Sequence, residues 1–267
     1  MLLTVGDVRE LGSPDSRLTF GAEPSGEGRR VLSVDRTPAF ELSWWCGTCA
    51  FLFRRLAGST TTLSLEAAQD RLTDGLDDVD DAVLDVFAEL LPAGRYLPLL
   101  LAVRPEQVLP AGPGDYFAEE QVATWDVDSF WGLPSYPATP YYRTFSTRVD
   151  DGAHLYEFVV PMVPPSWNHP DVVAEHARRL AGSDRLTAVA VATLDVCEPA
   201  VLQGPDHHAH WCLTHFLLDG HHKLQAAAET GRPLRLLSLL ALDAGLATDA
   251  QLARLPALRA ADPVRRR

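Results

Sequence analysis

The alternation of apolar and polar positions is clearest in the second half of the chain. Apolar runs over residues 157–163 and 186–196 have the length of strands, and the second run is nearly continuous, which favours burial on both faces. Between them, residues 170–181 have apolar positions at helical spacing. Pro170 suits the first turn of that helix, and Gly182 lies just past its predicted end.

The next segment predicts a strand, a tight turn, a helix and a further strand. The strand covers Trp211 to Leu218, the turn is Asp219 to Lys223, and the helix extends to Thr230, where Gly231 suits a C-terminal cap. The last strand covers residues 234–242, and a short helical tail covers 249–260. From residue 157 onward the predicted order is therefore β-α-β-β-α-β.

The first half combines short strands with helices. Strands are predicted over 17–20, 30–34 and 40–45, and helices over 47–56 and 64–91, the second interrupted at Gly75. The fold class is therefore predicted to be α+β, with a mixed α/β region over 1–150 and a second domain over 151–267. The turn signal Asp150 to Gly152 sets this boundary.

Composition narrows the classes of partner. The net charge of -13 opposes a polyphosphate backbone, which argues against nucleic acid as the main partner. No window approaches the roughly 18 apolar residues of a membrane helix, so no membrane partner is expected. Four cysteines suit a reducing compartment, and the N-terminus has no signal-peptide pattern. These features predict a cytoplasmic location.

The turn Asp219 to Lys223 has the residues of an anion site. Gly220 lets the backbone approach a ligand closely, and the following helix offers free N–H groups and the positive end of its dipole. His221, His222 and Lys223 add donors at the same place. Strand alternation predicts His215 on the same face as Asp219, two steps along the strand, where a histidine could assist proton transfer.

This turn resembles the one in ParB/sulfiredoxin-like proteins, in which a strand ends in a short Gly- and His-containing turn that binds nucleotide phosphates. The residues concerned are Leu217 to Lys223 followed by Leu224 and Ala226 to Ala228, and the element order from residue 157 to 242 is similar as well. The resemblance implies a ParB/sulfiredoxin-like module in the second half only. It implies phosphate binding by Gly220, His221, His222 and Lys223.

The resemblance also implies chemistry, with two departures. Asp219 would be catalytic or bind Mg²⁺ beside a nucleotide, with His221 or His215 transferring a proton, as in a phosphotransferase or a hydrolase. Lys223 stands where the family usually has arginine, and His221 takes the position of the sulfiredoxin cysteine, which argues against sulfinic-acid reduction. A non-enzymatic regulatory or scaffold protein is the alternative.

The first half contains a second group of candidate residues. Cys46 and Cys49 follow two tryptophans at a predicted helix start, as in a thiol-disulfide pair, and they also have zinc-knuckle spacing. His208, His210 and Cys212 share one strand face, so His210 and Cys212 could complete a zinc site. Buried structural thiols are the third interpretation.

An aromatic- and proline-rich segment lies between the two halves. Residues 110–140 are predicted to form an ordered, irregular connection, because a disordered linker would lack their aromatic side chains. Aromatics from Tyr116 to Tyr142 could form a surface for a protein partner. Packing of these rings between the two halves is the other interpretation.

Overall fold

The structure, a computed structural model, describes residues 1–22, 28–44, 53–125, 139–183, 185–198 and 208–260, and the elements below are those of the described residues. In chain order the strands are β1 (Leu2–Val5), β2 (Arg9–Leu11), β3 (Leu18–Ala22), β4 (Arg29–Val34), β5 (Thr37–Trp44), β6 (Arg54–Arg55), β7 (Gly94–Val103), β8 (Glu106–Val108), β9 (Tyr141–Asp150), β10 (Ala153–Pro161), β11 (Thr187–Cys197), β12 (Ala209–Asp219) and β13 (Leu234–Ala241). The α-helices are α1 (Gln69–Asp74), α2 (Asp81–Ala88), α3 (Glu120–Trp125), α4 (Pro170–Gly182), α5 (His221–Thr230) and α6 (Asp249–Ala260). The α+β class is confirmed.

A nine-stranded mixed sheet is the centre of the described fold. Its order is β1-β7-β13-β11-β12-β10-β9-β8, and β2 also pairs with β7. β10 and β12 are parallel, as are β11 and β13, whereas the other neighbours are antiparallel. β11 is buried along its whole length, as its near-continuous apolar run predicted, and β12 is buried along all but its first residue.

Each face of this sheet is covered by a separate apolar layer. On one face α4, α5 and α6 pack through residues such as Leu180, Leu224 and Leu255 against the alternating residues of β11 and β12. On the other face a four-stranded sheet, β3-β4-β5-β6, packs together with α1 and α2. Sheet strands that are buried on both faces therefore explain the continuous apolar pattern.

A buried ion pair joins the two sheets. The guanidinium of Arg30 on β4 lies 2.6 Å from Asp195 on β11, and both side chains are almost fully buried. The same guanidinium donates to the carbonyl of Ala244, and the N–H of Leu246 donates to the Asp195 carboxylate. Because a buried charge must be paired and hydrogen-bonded, these contacts fix how the smaller sheet sits on the larger one.

The element order predicted from residue 157 onward is confirmed, whereas the first half differs from the prediction. The helix predicted over 47–56 is wrong at its end, because Arg54 and Arg55 pair with Glu41 and Phe40 as strand β6; residues 47–52 lie outside the described part. The predicted boundary at residue 150 falls in the turn between β9 and β10, which pair with each other. No helix in the described part is long and apolar enough to cross a bilayer.

Candidate functional site

The predicted strand–turn–helix is present, and its turn requires glycine. β12 ends at Asp219, and α5 begins after Gly220, which has a φ of +95°. A Cβ atom at this position would lie 2.6 Å from the Cβ and 3.0 Å from the Cα of Ala188 on β11. Gly231 closes the helix with a φ of +63°, as expected for a C-terminal cap. Gly220 therefore permits both the left-handed backbone and the close packing on β11.

Asp219 and Lys223 form an enclosed pair beneath this turn. Each residue is only 3% exposed. The Lys223 ammonium donates to the carbonyls of Thr187 (2.9 Å) and Leu72 (3.5 Å) and lies 3.5 Å from the Asp219 carboxylate. Gln69 on α1 donates to the other Asp219 oxygen at 2.6 Å. Both residues therefore already have protein partners, and part of that environment comes from the first half of the chain.

The two histidines of the turn are held as hydrogen-bond acceptors. The N–H of Met162 donates to Nε2 of His221, and the N–H of His169 donates to Nε2 of His222, each at 3.1 Å. A backbone N–H can only donate, so both imidazoles are neutral and each bears its proton on Nδ1. Burial lowers the pKa of His221 to about 4, and burial followed by the nearby His169 lowers the pKa of His222. The turn therefore presents imidazole donors and no imidazolium.

Acid is expected to destabilise the protein through His221. Its pKa is about 4 when folded and 6.5 ordinarily, so unfolding takes up a proton between these values. The contribution to stability is complete above pH 6.5 and is lost as the pH falls towards 4, by up to about 1.4 kcal/mol per pH unit.

Urea unfolding at pH 7.5, 5.5 and 4.5 checks this prediction, with His221→Gln as the comparison. A glutamine carbonyl can accept the Met162 N–H without titrating, so the variant should lose less stability in acid than the wild type does. Parallel pH profiles for the two proteins would contradict the role of His221.

Donors without partners collect at the start of α5. No side chain caps the helix, and the N–H groups of His221, His222 and Lys223 have no partner among the described residues. Arg55 lies close enough to influence His221 electrostatically. Its guanidinium donates to the carbonyls of Pro161 (2.8 Å), Met162 (2.7 Å) and Ser59 (3.1 Å) and to the Ser59 hydroxyl, while its Nε is buried without a partner and no carboxylate in the described part pairs with it.

The surroundings of this helix start are rich in side chains that carry N–H donors. Burial lowers the pKa of Arg55 to about 10. Four of the nine histidines lie at the start of α5 or near it: His169, His176, His221 and His222. Burial, and then the charge of Lys223, lowers the pKa of His176 to about 4. Burial disfavours the positively charged forms of these groups, and a bound anion would stabilise those forms.

His215 lies in a different environment from Asp219. Its Nδ1 is 2.9 Å from the Ser238 hydroxyl, and its Nε2 is 3.8 Å from the Glu157 carboxylate, on the face covered by α6. The predicted shared face of His215 and Asp219 is wrong, because the register with β11 shifts next to Val189 and turns Asp219 towards α1.

The residues predicted to bind zinc are only partly described. Cys46 and Cys49 lie outside the described residues. Both ring nitrogens of His210 are engaged, with the hydroxyls of Tyr116 (2.7 Å) and Thr124 (3.0 Å), and burial raises the pKa of the Cys212 thiol. Within the described ranges no cluster of three or more His, Cys, Asp or Glu residues could hold a metal ion. The zinc and thiol-redox hypotheses stay predictions.

The aromatic segment is buried wherever its side chains are described. Tyr116, Phe117, Tyr141 and Tyr142 are each at most 1% exposed. Tyr141 donates to Asp115 at 2.8 Å and accepts the N–H of Tyr116 at 2.8 Å. These rings therefore pack inside the protein, and the partner surface predicted for the segment depends on residues 126–138, which lie outside the described part.

Three residues near the turn were not predicted from the sequence as site residues: Arg55, Gln69 and Asn168. Asn168 donates to the carbonyl of His221 (3.3 Å) and to Gln225 (2.7 Å), which ties the start of α4 to α5. None of the three lies in a recognisable motif, and only the folded chain brings them to the turn.

Comparisons with family models, with curated proteins and with solved structures find no match to this chain.

Proposed function

We propose that this protein binds a nucleotide or another phosphate-bearing ligand at the first turn of α5. The observation that supports this most is that an uncapped helix start lies close to Arg55, a half-buried cation with no carboxylate partner in the described structure. Free N–H groups and the helix dipole favour an anion at such a position. The neutral imidazole N–H groups of His221 and His222 are further donors.

The resemblance to ParB/sulfiredoxin-like proteins supports the same site with one change of residue. Those proteins usually have an arginine at the position of Lys223. Here the Lys223 ammonium faces Thr187 and Asp219 in the interior. Arg55, from the first half of the chain, donates to the carbonyls of Ser59, Pro161 and Met162 but pairs with no carboxylate in the described part, and it is the cation that we assign to the ligand. A guanidinium also restores the bidentate geometry that lysine lacks.

Binding is better supported than phosphoryl transfer. His215 is enclosed beside Ser238, Asp219 accepts from Gln69, and the Nε2 lone pair of His221 accepts from Met162. A general base needs a lone pair within reach of the substrate, whereas His215 is enclosed in the core and Asp219 and His221 already accept hydrogen bonds from the protein. Mg²⁺ beside Asp219 and a phosphotransferase or hydrolase activity stay as predictions.

A regulatory or scaffold role is the second candidate, and the contacts of α1 favour it. Gln69 and the carbonyl of Leu72 both touch the pair beneath the turn. A ligand that orders the start of α5 would thereby also stabilise α1. Such coupling would let the first half of the chain report occupancy without any reaction.

Replacing Arg55 should weaken phosphate binding. Arg55→Ala removes a charge-assisted donor, so affinity for inorganic phosphate, ADP or ATP is expected to fall about 10- to 100-fold. Arg55→Lys should lose less affinity than Arg55→Ala, since lysine keeps the positive charge but lacks the bidentate geometry of the guanidinium. Isothermal titration calorimetry with and without Mg²⁺ measures these affinities.

Arg178→Ala is the matched control, because it removes an exposed arginine from α4. Its affinities should equal those of the wild type. Equal loss in the Arg178 and Arg55 variants would reveal a general charge effect and contradict the site. Failure of phosphate, ADP and ATP alike to bind the wild type would refute the proposed function.

A further inference from the structure

Trp167 is an exposed aromatic residue next to the proposed site. Its side chain is 56% exposed, and among the large hydrophobic side chains exposed in the described residues it is the one aromatic. Other rings of the described part, such as Tyr116, Tyr141 and Phe158, are buried in the core. Trp167 therefore leaves a large apolar ring face in water, where a ligand could cover it.

Trp167 precedes two residues that contact the start of α5. It ends the 3-10 helix Pro165–Trp167, and the two residues that follow it bind the first turn. Asn168 donates to the carbonyl of His221, and the N–H of His169 donates to His222. The rings of His169 and His222 lie parallel within 8°, with centroids 6.0 Å apart. The flat rings of His169 and His222 therefore lie together at the edge of the donor cluster.

The donor cluster itself has a buried member with one ring N–H that lacks a partner. His221 is 5% exposed, and its Nε2 accepts the N–H of Met162. Its Nδ1–H has no partner among the described residues and belongs to the first residue of α5. Together with Arg55, this donor marks the place of an anion independently of the helix end.

We infer that the ligand joins a phosphate to a flat aromatic or heteroaromatic ring, and that this ring packs on Trp167 while the phosphate binds at the start of α5. This inference rests on the proposed function and adds the class of organic group. Stacking on an aromatic side chain tolerates any ring with a π face. Stacking on Trp167 therefore favours flat-ring phosphates over sugar phosphates and gives no preference among bases.

A ligand series tests the ring separately from the phosphate. Inorganic phosphate, ribose 5-phosphate and the monophosphates AMP, GMP, CMP and UMP are titrated against the wild type, Trp167→Ala and Trp167→Phe. For the wild type, at least one nucleotide should bind about 10- to 100-fold more tightly than ribose 5-phosphate. Trp167→Ala should remove that advantage and leave phosphate binding unchanged, and Trp167→Phe should retain most of it.

Val8→Ala is the control, because it shortens another exposed apolar side chain, located between β1 and β2. It should leave every affinity unchanged. If ribose 5-phosphate matched the nucleotides, or if Trp167→Ala kept their advantage, the inference about the ring would be overturned while the phosphate site stood. If none of the phosphates bound the wild type, the proposed function would fail with it.

Discussion

Replacing Arg259 with methionine is expected to lower the free energy of unfolding by about 3–5 kcal/mol. Arg259 on α6 contacts Glu157 on β10 through Nε at 2.5 Å and a second nitrogen at 3.3 Å, and both side chains are nearly fully buried. Methionine fills similar space without charge. The Glu157 carboxylate would then remain buried beside Thr144 and His215, with the Met1 ammonium as a more distant cation, and a poorly compensated charge in the interior is costly.

The loss should depend on pH. Burial alone would raise the pKa of Glu157, but Arg259, aided by His215, holds it far below the ordinary value of 4.5. In the wild type this pair contributes stability above about pH 4.5, and the contribution is lost as the pH falls through the lowered pKa. Without Arg259 the buried carboxyl can protonate, so the difference between variant and wild type should shrink in acid. Urea unfolding at pH 7.5 and 4.5 measures both effects.

Two further variants separate pairing from packing. Arg179→Ala breaks the exposed pair with Glu175, whose side chains are each 45% exposed, and should leave the free energy of unfolding almost unchanged. The double variant Arg259→Met, Glu157→Leu removes both charges and should recover much of the loss. A cost below about 1 kcal/mol for Arg259→Met alone would show that the pair is hydrated or unformed in solution.

The second half of the chain was predictable because its signals are local. β11 is a continuous apolar run, and α5 lies between Gly220 and Gly231, both with positive φ. Strand length, helix spacing and glycine caps depend on residues that are close in sequence. The same local pattern marked Asp219 to Lys223 as a turn with donors.

Two long strands were missed because their patterns are irregular. β7 contains Pro98, which lacks a donor for the sheet, and such a residue argues against a central strand. Here β7 pairs with β13 and β1, and Pro98 pairs with Leu239 while accepting the N–H of Gly6. β9 meets β10 with two register shifts, which break the simple alternation that identifies a strand.

The directions of the charged side chains could not be read from the sequence. Lys223 turns inward because Thr187 and Leu72 offer carbonyls, and Leu72 is 151 residues away. Arg55 reaches the site because the strand β6 to which it belongs pairs with β5. Contacts over such distances depend on the assembled sheets, so a motif could indicate the turn but not Arg55, which comes from another part of the chain.

Replacing Gly220 with alanine is expected to destabilise the protein by roughly 2–5 kcal/mol. A left-handed backbone costs an alanine about 1–2 kcal/mol, and overpacking commonly adds about 1–3 kcal/mol. Both apply here, since φ is +95° and the new Cβ would stand 2.6 Å from the Cβ of Ala188. The Cα and Cβ of Ala188 cannot move freely, because Ala188 belongs to β11 in the middle of the nine-stranded sheet.

Gly231→Ala separates the two causes. Gly231 also has a positive φ, +63°, but a Cβ there would meet nothing within 4 Å. It should therefore cost only the backbone term of about 1–2 kcal/mol. Ala188→Gly combined with Gly220→Ala removes the Cβ–Cβ overlap but leaves the Cα of Ala188 at 3.0 Å, so part of the loss should return. Urea unfolding measures these losses. Equal losses of unfolding free energy for Gly220→Ala and Gly231→Ala would contradict the close packing of Gly220 on Ala188 of β11.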